Sequence, residues 1–142
     1  MGDVLYAATQ FGTRTVREES RGRRSTVLLV DPDPAALAAM EQALLDEGFV
    51  TATALDGTGA LAASYRVGTL NLLVTNVQTT QMHALELADV LRRQHPGLQV
   101  LYMTTSEDEL FGERLLLSGD DDVIEKPFSG GELVDAVSSL LR

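Results

Sequence analysis

Four polar side chains follow short apolar runs: Asp31 behind Val27–Val30, Asn76 behind Leu72–Val74, Thr104 in the run from Gln99, and Lys126 behind Val123 and Ile124. In an open α/β sheet the carboxyl ends of the strands are where ligands and chemistry sit. Asn76 stands at such a position, but its neutral amide is not a nucleophile. Asp31 and Lys126 carry opposite charges, and Lys126 can pair with Asp31 or bond the Asn76 amide oxygen. At an effective dielectric of about 20, a unit-charge pair ~4 Å apart gains ~4 kcal/mol of gross Coulomb energy, less desolvation. On the residues alone this can be an ordinary buried ion pair with no role beyond structure. Thr104 and Thr105 can equally satisfy backbone groups at a strand end.

These residues need strands to deliver them, and the chain supplies an alternation. Val27–Val30 reads as a buried strand stopping at Asp31. Asp33 and Pro34 form an N-cap and a first helical residue, and Leu37, Met40, Leu44 and Leu45 follow at helical spacing until Gly48. Phe49–Ala54 is the next strand. Asp56 caps a helix from Gly59 to Tyr65 or Arg66, and Gly68 ends it. The strand with Asn76 follows, then a helix from Ala84 to Gln94 closed by His95, Pro96 and Gly97. Gln99–Thr104 is the fourth strand. Ser106 and Glu109 make a capping box for a helix ending near Ser118 and Gly119. Val123 and Ile124 form a brief fifth strand, and Ser129 with Glu132 caps the last helix. Short apolar strands alternating with helices predict an α/β fold, a parallel sheet covered on both faces.

Composition narrows the function. The 142 residues suit one domain, and the absence of cysteine excludes disulfide scaffolds, cysteine–zinc sites and thiol catalysis. The net charge of −10 argues against nucleic-acid binding. No apolar run has the length of a membrane span, and the N-terminus lacks a signal-peptide layout, so a cytoplasmic location is expected. Residues 1–24 are basic and weakly periodic and read as a flexible extension or linker; the alternative is a short strand at Thr13–Arg17 that pairs with a partner. His83 and His95 read as surface residues beside turns. Asp120, Asp121 and Asp122 read as a solvated loop, and no metal site is expected there. There are ten arginines but a single lysine, Lys126.

From about Ser25 to Arg142 the chain resembles the receiver domain of two-component response regulators. VLLVDPDPAAL is similar to the first strand and acidic pocket, NLLVTNV to the phosphoacceptor strand, VLYMTTS to the fourth strand and its hydroxyl residue, and VIEKPFSGGEL to the last strand with its lysine–proline pair. The resemblance implies a flavodoxin-like (βα)5 doubly wound sheet with strand order 2-1-3-4-5. It implies phosphoryl transfer from a phosphohistidine to an aspartate, assisted by magnesium held by two further carboxylates. Position by position, Asp31, Thr104 and Lys126 are retained. Asn76 replaces the acceptor, Pro32 replaces the second pocket carboxylate, and Val123 stands at the aromatic switch position, with Thr104 as the other switch residue. The loop Gln78–Ala84 lacks the family's proline–glycine turn.

These departures predict a pocket that cannot be phosphorylated and that binds magnesium weakly or not at all, with no cofactor. Asp33 reads as a cap rather than a substitute metal ligand. The resulting expectation is a non-enzymatic pseudo-receiver that acts by protein binding, as a stand-alone protein or the terminal receiver of a hybrid histidine kinase. Its partner would be a histidine kinase, a phosphotransfer protein or a domain of the same parent chain; a homodimer also fits, while nucleic acid and membrane are not expected. Leu110, Phe111 and Leu115 mark a candidate interaction face. The alternatives are a phosphoacceptor regulator whose aspartate was changed to Asn76, phosphorylation at Thr75, Thr104 or Asp31, and a small-ligand sensor using the vacated pocket. Pro32, Val123 and the altered loop favour natural degeneracy.

Overall fold

A computed structural model describes residues 25–79, 82–105 and 121–142. Among them the chain runs β1 (Thr26–Val30), α1 (Pro34–Asp46), β2 (Val50–Ala54), α2 (Gly57–Ser64), β3 (Leu72–Asn76), α3 (Ala84–Gln94), β4 (Gln99–Thr104), β5 (Asp121–Glu125) and α4 (Gly130–Leu140). The strands form one sheet in the order β2-β1-β3-β4-β5, and every neighbouring pair is parallel. The chain steps from β1 to one side and returns to β3 on the other. The crevice this reversal opens lies at the carboxyl ends of β1 and β3, next to Asp31 and Asn76.

Alternation along the strands divides the core in two. Val27 and Leu29 of β1 join Leu72 and Val74 of β3 on one face, under Leu37, Met40 and Leu44 of α1 and Leu133 and Val137 of α4. Leu28, Val30 and Leu73 face the other way, under Ala60 and Ala63 of α2 and Leu87, Ala88 and Leu91 of α3. Because β1 and β3 are covered on both faces, they are continuous apolar runs.

The expected helix ends are present. Asp33 Oδ1 accepts from Ala35 N at 3.0 Å, with Pro34 as the first helical residue. Gly48 and Gly97 have φ of 90° and 91°, left-handed geometry that a side chain would strain. Ser129 Oγ accepts from Glu132 N at 3.1 Å, and Glu132 Oε1 accepts from Ser129 N at 2.9 Å, completing a capping box. Ser129→Ala removes one half of that exchange. It is expected to lower stability by about 1 kcal/mol in a urea titration, while Ser129→Asp retains most of it.

Some boundaries differ from the sequence reading, among them the end of α2, which is Ser64 and not Tyr65 or Arg66. Helix α2 starts at Gly57, directly after its Asp56 cap, not at Gly59. Strand β2 starts at Val50, and Phe49 is buried in the core before it. Strand β5 includes Asp121 and Asp122, so these are not loop residues. The Asp121 carboxylate is 3% exposed and pairs with Arg92 in the last turn of α3, which compensates a charge otherwise costly to bury. The extension 1–24, the helix expected after Ser106 and the face Leu110, Phe111 and Leu115 lie outside the described residues, as does Asp120.

The start of α2 also meets the segment after β3. A Cβ added at Gly57 would lie 2.7 Å from Met82 Cβ, so only glycine allows this approach. Gly57→Ala is expected to cost about 1–3 kcal/mol by overpacking. Urea unfolding checks this, and Met82→Gly in the same chain, which removes the clashing Cβ, should recover part of the loss.

Candidate functional site

Asp31 follows β1 and is fully buried. Its backbone N–H donates to Ala54 O of β2 at 3.2 Å. Its side chain is used on both oxygens: Oδ1 accepts from Asp33 N at 2.9 Å, and Oδ2 accepts from Lys126 Nζ at 2.7 Å. Lys126 sits just beyond β5, held by its backbone N–H donating to Thr104 O at 2.7 Å. Its side chain is 29% exposed, while that of Asp31 is 1% exposed. Of the two partners open to Lys126, the carboxylate is the one it takes. The Lys126–Pro127 peptide bond is cis.

Asn76 ends β3 and is half-buried; its Nδ2 donates to Gln78 O at 3.1 Å. The amide thus ties down the following loop. Thr75 is fully buried, and its hydroxyl donates to Asn76 O at 3.0 Å. Thr104 ends β4, 6% exposed, in register with Glu125. Pro32 is exposed between Asp31 and Asp33 and offers no side-chain oxygen. Val123 pairs in register with Tyr102 and packs on the core beneath α2 and α3. Burial, reinforced by the Asp121 carboxylate, pushes the Tyr102 hydroxyl above its ordinary pKa and keeps it protonated.

Lys126 therefore joins Asp31 through its side chain and Thr104 through its backbone N–H, and Asn76 stands at the end of the intervening strand. The two histidines have structural uses. His83 Nδ1 accepts from Leu85 N at 3.1 Å and caps α3. His95 is half-buried rather than superficial, and its Nδ1 accepts from Leu70 N at 3.4 Å. The feature sequence reasoning missed is a cavity of about 340 Å³ between α1, α4 and the loop after β5. Asp31 and Lys126 line it, and Asn76 does not. The run KPFSGGEL marks part of its wall, but only folding brings α1 opposite.

An open, doubly wound parallel sheet with an aspartate and a lysine paired at its switch point is the flavodoxin-like class of α/β protein. Within that class, this chain belongs to the response regulator receiver domain family, whose model matches residues 27–138. It is 38% identical over 124 residues to the probable transcriptional regulatory protein TcrX of Mycobacterium tuberculosis, covering 85% of this chain and 51% of that protein. It is 33% identical over 119 residues to the DNA-binding response regulator MtrA of Mycolicibacterium smegmatis, covering 84% of this chain and 51% of the relative. The chain thus spans about half the length of these curated relatives. In fold it is similar to the chemotaxis response regulator CheY4 of Vibrio cholerae, with a TM-score of 0.71 and 24% identity over 83% of this chain and 99% of that one. Among the described residues, no helix is long and apolar enough to cross a membrane.

Proposed function

We propose that this receiver domain is a pseudo-receiver: a regulatory binding module of two-component signalling that does not accept a phosphoryl group and performs no chemistry of its own. The observation that carries the reading is the closed pairing of Asp31. Both of its oxygens are engaged within the protein, one of them by Lys126, whose charge a phosphorylated family member would direct elsewhere. Transfer from a phosphohistidine needs a nucleophilic oxygen and a clamp for the developing charge. Asn76 supplies an amide, and its Nδ2 is already bonded to Gln78 O.

The magnesium implied by the family does not fit this donor set. Magnesium takes near-octahedral oxygen ligation, usually with one or two protein carboxylates. Here Pro32 has no oxygen to give, Asn76 offers at most a neutral carbonyl, and Asp31 is committed. Among the described residues no cluster of three metal-ligating side chains occurs.

Signalling would then depend on binding rather than on a phosphorylation-driven population shift. The partner would be a histidine kinase, a phosphotransfer protein or another domain of the parent chain. The relatives named as transcriptional or DNA-binding regulators extend well beyond the part this chain matches, and they favour an output-domain context over that of a hybrid kinase. The acidic-charge argument against nucleic acid therefore extends no further than these 142 residues. Incubation with acetyl phosphate and magnesium, followed by intact-protein mass spectrometry, tests the reading. The mass should stay unchanged, and an acid-labile adduct on the chain would refute it.

A further inference from the structure

We infer that the cavity between α1 and α4 is a binding site for a small neutral amphiphile: an apolar body carrying one head that both accepts and donates hydrogen bonds, a carboxamide. Its volume, about 340 Å³, lies within the usual range for small-molecule sites. Met40, Phe128 and Leu133 provide apolar walls, and Asp31, Asp33 and Lys126 provide the polar lining.

The head group follows from which valences are already used. Asp31 accepts on both oxygens, and Asp33 Oδ1 caps α1. Lys126 has three N–H donors, of which one is directed at Asp31. Lys126 can therefore donate to a ligand, and Asp33 Oδ2, which the helix cap leaves unused, can accept from one. Two aspartates against one lysine leave the lining net negative, which disfavours a carboxylate or phosphate head. A cationic head would meet the like charge of Lys126 and find the Asp31 carboxylate already paired, with only the solvent-screened Asp33 to oppose it. A neutral carboxamide fits, its carbonyl accepting from Lys126 and its N–H group donating to Asp33, with its hydrocarbon part on Phe128 and Leu133. This inference rests on the pseudo-receiver reading in one respect: Lys126 must not be claimed by a phosphoryl group.

The test is titration of the full chain, labelled at the methionine methyl groups, with three matched probes in buffer free of magnesium and phosphate. Phenylacetamide should give saturable shifts at the Met40 methyl. Phenylacetate and phenethylamine should bind roughly tenfold more weakly or not at all. Ala39→Phe, at an exposed position on the lip of the cavity, should abolish the amide shifts while leaving the melting temperature unchanged. Saturable Met40 shifts with none of the probes would overturn the proposal, as would a charged probe binding as tightly as the amide. A chain that binds the amide yet is labelled by acetyl phosphate would refute the pseudo-receiver reading alone.

Discussion

The double variant Pro32→Asp/Asn76→Asp is expected to acquire magnesium-dependent labelling by acetyl phosphate that the parent chain lacks. Asn76 ends β3 at the switch point, where the family resemblance implies the nucleophile, and its backbone is fixed by pairing with Met103. Restoring a carboxylate there supplies the attacking oxygen. Restoring one at Pro32 supplies a free metal ligand beside Asp31. Together they change the local balance from one acid against one base to three acids against Lys126, which invites a divalent cation. Asn76→Asp alone should be labelled poorly, because the developing charge has no metal to meet it. The double variant should be less stable than the parent without magnesium and should regain stability as magnesium is added, by linkage. Mass spectrometry and urea titrations, each with and without the metal, check both halves. Labelling of the single variant as fast as the double would show that Pro32 is not a barrier.

Breaking the central ion pair has the second large effect. Lys126→Met leaves the Asp31 carboxylate buried without its cation. The loss should be about 2–4 kcal/mol, toward the lower end for a broken buried pair because the lysine is partly exposed. Adding Asp31→Asn should restore much of that loss, since the asparagine oxygen can still accept from Asp33 N and no uncompensated charge remains. A double-mutant cycle in urea reads the coupling directly. Equal stability of Lys126→Met and the parent would show that Asp31 is compensated by something other than Lys126.

What could be read from the sequence was mostly local. Helix α3 and strand β4 have the bounds that periodicity and the His95-Pro96-Gly97 stop predict. The caps at Asp33, Asp56 and Ser129 are contacts within a few residues, so their motifs are legible. The strand ends that carry Asp31, Asn76 and Thr104 were legible because a buried parallel strand is a continuous apolar run with a polar stop. Strand β5 was under-read for the opposite reason. It lies at the sheet edge and opens with two acids, and the cation that admits Asp121 is Arg92, 29 residues earlier.

The Asp31–Lys126 pair spans 95 residues, and spacing alone could not decide between Asp31 and Asn76 as the lysine's partner. The contact of Gly57 with Met82 and the cavity between α1 and α4 left no sequence signal. Both arise where separately legible elements come together.

The most direct measurement of the central claim is an NMR titration of the chain with magnesium and beryllofluoride, following backbone amides around Asp31, Asn76 and Thr104. The pairing of Asp31 with Lys126, the missing oxygen at Pro32 and the amide at Asn76 predict no saturable shifts at these positions. Saturable, magnesium-dependent shifts there would show that the pocket still holds a cation and a phosphoryl mimic, and would contradict the pseudo-receiver assignment.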